Sequence, residues 1–272
     1  MTRGLNGHLR LICAADEQGR TFIREQSFAA PVHLSKPHLD EGTLVVNIVN
    51  PTAGLLAGDR VRHDVALESG ARLLLTTPGA SRAHRILEGD ARMAQEFRVA
   101  SGSWLDSWPE LFIPQGGARY RQQTTLRVED GGEAMLIEML APGRVASGEV
   151  FAFTGLNWET DIFLGGTRIA RERYMLTPES PALTAMRGQF SEAYYASCFV
   201  ISPHLRADSG CWRRIHDLQR DDTWVGCSAL VRGGWAIRVL AAGSILLRRS
   251  VAAIRGEIYA ALGRKEPALR RN

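Results

Sequence analysis

The chain has 272 residues, 45% of them apolar and 23% charged, which suffices for one substantial core and excludes wholesale disorder. Formal net charge is +4, yet among the 33 basic side chains only Lys36 and Lys265 are lysine. The arginines are dispersed and interleaved with acids, which argues against nucleic-acid binding and for carboxylate pairing at protein interfaces.

No window carries the long uncharged apolar run of a membrane span. Met1 to Leu11 bears arginines but no following apolar region of the secretory kind, so a cytoplasmic location without membrane contact is expected. Cys13, Cys198, Cys211 and Cys227 are widely spaced with no C-x-x-C pair, the pattern of free thiols in a reducing compartment.

In chain order, Leu44 to Val49 is a nearly continuous apolar run ending at Asn50-Pro51, which predicts a buried strand and a turn. The corner Asn50 to Asp59 contains Gly54 and Gly58. Arg60 to Glu68 alternates, with Val61, Val65 and Leu67 among polar neighbours, and stops at Ser69-Gly70. Arg72 to Thr77 follows and runs into a second corner, Thr76-Thr77-Pro78-Gly79-Ala80-Ser81. Both corners set short oxygen-bearing side chains beside glycine.

Further strands are predicted over Arg92 to Val99, Ser103 to Trp108, Arg119 to Val128, Ala134 to Leu140, Ala146 to Phe153, Asn157 to Leu164 and Thr167 to Leu176. Glycine turns punctuate them, with Gly165-Gly166 as a hairpin turn. Beyond them, Pro203 to Arg220 reads as a helix, Thr223 to Val231 and Gly234 to Leu240 as paired strands, and Ser244 as the cap of a helix reaching about Leu262. Many short strands at regular spacing imply a sandwich, barrel or solenoid-like β stack. The chain reads as one domain over 1–272: a β-rich core over about 20–200, an α/β portion over about 201–263, and a polar, frayed tail over 264–272.

Chemistry-bearing residues are sparse. Asp59 follows Gly58 at a turn that opens a strand; it either bonds nearby backbone amides or lines a passage and contacts a cation. Glu138 interrupts the apolar strand Met135 to Leu140. Alternation puts it on the face of Leu136 and Leu140, so it is buried and needs a partner, whether as a functional acid of raised pKa or in a structural arginine pair. Glu149 and Glu172 are two further acids, and Glu172 is flanked by Arg171 and Arg173. Seven histidines show neither H-x-x-x-H nor H-x-H spacing, so a tight protein-only metal site lacks its usual cue. G-x-S-x-G, P-loop and dinucleotide fingerprints are absent. An acid/base hydrolase or lyase using Asp59 and Glu138 and a metal-independent β-rich adaptor stay open as alternatives.

In combination these motifs resemble the urease accessory protein UreD (UreH) family. The family corner Asn/His-Pro-Pro-Gly-Gly-x-x-Gly-Gly-Asp is matched by Asn50, Pro51, Gly54, Gly58 and Asp59. Thr-x-Pro-Gly-Ala-Ser/Thr is matched by Thr76, Thr77, Pro78, Gly79, Ala80 and Ser81. Trp108-Pro109-Glu110 and Gly117-Ala118 echo the next segment. Glu138 ends an apolar strand before Gly143-Arg144-Val145-Ala146-Ser147-Gly148-Glu149, and Glu172-Arg173 closes the series. Thr52-Ala53-Gly54 and Ala57-Gly58 depart from the family's denser glycines, as do Arg82-Ala83-His84-Arg85 and Leu111.

The resemblance implies a non-catalytic scaffold with a β-helix-like stack of strands and about two helices in its C-terminal third. It implies binding of apo-urease on one side and, on the other, of UreF and, through it, the GTPase UreG. It also implies an internal route for transient Ni2+, with no tightly bound cofactor; Asp59, Ser81, Glu138 and Glu172 match polar positions of that route or its surroundings.

Overall fold

The apolar-faced segments fold into two facing β-sheets because each short strand is followed by a corner that carries the chain across to the opposite sheet. The computed structural model describes residues 4–52 and 54–268; Ala53 of the first corner and residues 269–272 of the tail lie outside them. The strands are β1 (Asn6–Ala15), β2 (Thr21–Ala29), β3 (His33–Leu34), β4 (His38–Asp40), β5 (Thr43–Val49) and β6 (Arg60–Leu67). Next come β7 (Arg72–Thr76), β8 (Ser81–Ala83), β9 (Ala91–Val99), β10 (Trp104–Trp108), β11 (Phe112–Pro114) and β12 (Arg119–Val128). Then follow β13 (Glu133–Leu140), β14 (Gly155–Leu164), β15 (Thr167–Leu176), α1 (Pro181–Gln189), β16 (Tyr194–Ile201), α2 (Cys211–His216), β17 (Thr223–Ala229), β18 (Gly234–Ala241) and α3 (Ser244–Ala261).

The first sheet has the order β15-β14-β12-β9-β6-β1-β2, and its five inner strands β14 to β1 run parallel. The second has the path β17-β18-β16-β13-β10-β7-β5-β3, parallel from β13 to β5 and antiparallel beyond. From β5 to β14 successive long strands alternate between the sheets, so the chain winds as a flattened β-solenoid. Parallel neighbours need such a crossover, and here the opposite sheet supplies it in place of a helix.

One core fills the space between the sheets, with Leu11, Val65, Leu73, Phe97, Leu126 and Ile162 among its buried residues. A second lies outside the second sheet, where Met135, Ile137 and Met139 meet Ile215 of α2 and Val251 and Ile254 of α3. All eight residues of β13 are therefore buried, as a strand covered on both faces should be. Leu247, Val251, Ile254 and Ile258 recur every three or four residues and give α3 its inward stripe.

Several sequence expectations change. Ala146 to Phe153 is not a strand; it holds a single 3-10 turn, Val145–Ser147, closed by Gly148 at φ 74°. The helix expected over Pro203 to Arg220 shrinks to α2, since Pro203 and the Asp208-Ser209-Gly210 turn precede it. The expected α/β portion holds two helices, α2 and α3, and a third, α1, precedes it. Ser244 is the first helical residue, not a cap, with Gly243 before it and no side-chain cap bond.

The tail is not frayed over 264–268. Arg264 donates to Glu133, Glu266 pairs with Arg255 at 3.0 Å, and the Ala268 amide donates to Asp40 at 2.6 Å. All four cysteines are free, and burial pushes the Cys13 thiol up to about 12.

Candidate functional site

The two glycine corners lie side by side. Leu55 N–H donates to the Arg82 carbonyl at 2.8 Å and His84 N–H donates to the Leu55 carbonyl at 2.9 Å, which stitches one corner to the other. Asn50 Oδ1 accepts from both the amide and the hydroxyl of Thr52, at 3.0 and 2.7 Å, closing an Asx turn. Gly54 sits at φ 148°, and a Cβ there would stand 2.7 Å from His84 Nε2. Thr76 donates to the Trp108 carbonyl at 2.6 Å and Thr77 Oγ1 accepts the Glu110 amide at 2.9 Å. Both threonines thus tie their corner to the next coil. The Ser81 amide donates to the Leu111 carbonyl at 2.9 Å.

Asp59 is buried, and both its oxygens are taken: Oδ1 accepts the Leu5 amide at 2.7 Å and Oδ2 the Leu56 amide at 2.8 Å. It anchors the start of β1 and closes its own turn.

Between the corners opens a cavity of about 360 Å³, with Asn50, Pro78, Gly79 and Ser81 at its rim and His63, Gln95, Gln122 and Glu138 in its wall. Asp59 is not in that wall, so the structure does not bring together the Asp59–Glu138 acid/base pair. Glu138 does lie on the inward face of β13 with Leu136 and Leu140, all three buried. Its partners are not arginines. Oε1 accepts from Gln122 Nε2 and from the Thr124 hydroxyl, both at 2.9 Å, and Oε2 accepts from the Thr160 hydroxyl at 2.8 Å. Burial pushes its carboxyl up, against the pull of the Thr160 and Thr124 hydroxyls. The Trp158 indole also favours the charged form, although its Nε1 stops short of a formed hydrogen bond.

Strand register aligns these groups. On the first sheet His63, Gln95, Thr124, Thr160 and Glu172 are successive ladder partners across β6, β9, β12, β14 and β15. Their neighbours Val65, Phe97, Leu126 and Ile162 are core residues, so the row faces the solenoid interior. Gln95 Nε2 donates to Thr124 Oγ1 at 3.2 Å. On the facing sheet Glu138, Ser197 and Arg238 form a second ladder row. Glu172 joins the two: its carboxylate accepts from Tyr195 at 2.9 Å, Ser197 at 2.6 Å and Arg238 at 2.9 Å. A line of polar groups therefore crosses the coils from His63 to Glu172, between apolar layers.

Glu149 lies apart from this row. Arg144 donates to it through Nε and Nη2 at 2.9 and 2.5 Å, and the Gly116 amide adds a third bond at 2.8 Å. The Arg144 guanidinium and that amide hold its carboxyl down at about 2. The Gly143 to Glu149 motif is thus a clasp on the preceding corner. Sequence reasoning passed over His63, Gln95, Gln122, Thr124 and Thr160. Alternation in Arg60 to Leu67, which puts His63 on the face of Val61 and Val65, was the available signal.

Fold and site together define a β-solenoid protein built around a buried polar row. The sequence profile described as UreD urease accessory protein matches residues 5–272. The urease accessory protein UreD of Opitutus terrae is 40% identical over 261 residues, covering 95% of this chain and 96% of the relative. Those of Acetivibrio thermocellus and Cupriavidus metallidurans are 30% and 32% identical, covering 91% and 92% of this chain and 95% and 84% of the relatives. The chain belongs to the UreD urease accessory protein family. Among the described residues no helix is long and apolar enough to cross a membrane.

Proposed function

We propose that this protein is the scaffold on which nickel is delivered to apo-urease, engaging urease at one surface and the UreF–UreG complex at another. The nickel ion is cargo that passes along the interior row. The observation that carries this reading is the in-register line from His63 to Glu172, which keeps a carboxylate at Glu138 deep between two apolar layers.

The chemistry suits transit. Glu138 and Glu172 are spaced by hydroxyls and amides whose oxygens are weak ligands for a borderline ion. A dense cysteine and histidine cage would retain Ni2+ instead. The Thr124 and Thr160 hydroxyls, which now donate to Glu138, can rotate and turn lone pairs toward a cation. Ser81 at the rim belongs to the same path. Asp59 contributes by holding the corner in place, each of its oxygens accepting a backbone amide.

A urease operon lacking its own UreD, co-expressed with this chain and its matched UreF and UreG, tests the reading. Restored nickel content and urease activity are expected. Failure with a soluble, folded chain would refute it.

A further inference from the structure

His63 is a member of the row whose two ring nitrogens, Nδ1 and Nε2, are buried without a hydrogen-bond partner among the described residues. The residue is 5% exposed. A buried neutral imidazole ordinarily donates through one nitrogen and accepts through the other, and leaving both unmet is costly. Its ring lies in the wall of the cavity that also holds Glu138. The described residues supply no partner, and that cavity is the space open to one.

Its surroundings favour a lone pair over a proton. Burial pushes the imidazole down to about 4, only partly opposed by the neighbouring Gln95 amide. The ring is thus neutral near pH 7 and able to bind a Lewis acid. Glu138 provides a carboxyl group in the same cavity, and Gln95 and Thr124 lie between them along the row.

We propose that His63 is a nitrogen ligand for the divalent transition-metal cargo, selecting a borderline-soft ion such as Ni2+ over Mg2+ and Ca2+. This inference rests on the maturation role argued above. Oxygen ligands alone suit hard ions well; one imidazole adds a preference for late first-row metals. A single imidazole with neighbouring weak oxygens still makes a shallow site, so selection need not become capture.

The test uses the full-length protein, with Ni2+ alone as the probe, titrated by calorimetry in excess Mg2+. X-ray absorption reads the ligand atoms. Wild type should bind Ni2+ with imidazole in its coordination shell and without displacement by Mg2+. His63→Leu, which suits the apolar face of β6, should fold and bind Ni2+ weaker by about tenfold or more. His63→Gln, which keeps polarity without the imidazole, should lose selectivity as well.

Equal Ni2+ affinity in wild type and His63→Leu, no imidazole in the coordination shell, or no Ni2+ binding by wild type would overturn the proposal. His63-dependent Ni2+ binding by a chain that cannot restore urease would sustain the site and remove the maturation role. Restoration with unaltered Ni2+ binding in His63→Leu would do the reverse.

Discussion

Asp106 on β10 and Arg255 on α3 meet at 2.6 Å, Oδ2 to Nε, with side chains 0% and 2% exposed. Tyr259 donates to the same oxygen at 2.8 Å and in turn accepts the Trp104 indole N–H at 3.0 Å. The Arg255 guanidinium also lies over the Trp108 ring at 4.7 Å. Burial pushes the Asp106 carboxyl up while Arg255 pulls it back. A pair so placed fixes where α3 sits on the second sheet more than it adds net stability.

Breaking that pair strands a charge. Asp106→Leu or Arg255→Met alone should cost about 3–5 kcal/mol, and the double variant Asp106→Leu with Arg255→Met should recover most of it. Denaturant unfolding in a double-mutant cycle reads this. Single variants within about 1 kcal/mol of wild type would show that the pair does not fix the helix.

Asp59 accepts the Leu5 and Leu56 amides, so Asp59→Ala should cost about 3 kcal/mol. Hydrogen exchange should accelerate at those two amides and along β1. A variant of unchanged stability and exchange would contradict the anchoring role.

Glu138→Gln keeps volume and most of the hydrogen bonding while deleting the charge. Because burial already disfavours that charge, the variant should be as stable as wild type or more so. Nickel loading of co-expressed urease should nevertheless fall sharply, as measured by metal content and activity. Full loading by Glu138→Gln would remove the carboxylate from the route.

The Arg144–Glu149 clasp carries a pH signature. Glu149 has a folded pKa of about 2, below its ordinary 4.5. Its contribution is present above pH 4.5 and is lost as pH falls through about 2. Glu149→Gln should therefore be less stable than wild type near neutrality, and the gap should close toward pH 2. A gap that persists unchanged in acid would assign the effect to packing.

Much of the solenoid was legible because strand pairing there follows local pattern. Arg119 to Val128 and Thr167 to Leu176 have the bounds read from sequence, and Glu138 lies on the face that alternation assigns it. Other features depend on contacts distant in sequence. The polar partners of Glu138 come from β12 and β14, and no local pattern predicts that three donors converge on it. β16 went unread, a short apolar run between α1 and a turn. Ala146 to Phe153 looked extended, yet the Arg144–Glu149 clasp bends it back.

The interior row depends on residue parity. His63, Gln95, Thr124 and Thr160 share one rung, so deleting one residue from the first half of β9 would turn Gln95 outward and drive Glu96 and Arg98 between the sheets. Change by a whole coil would leave the rungs aligned and merely lengthen or shorten the passage. Insertions and deletions in this chain's relatives should therefore gather at the corners, where an odd residue can be absorbed without severing the line.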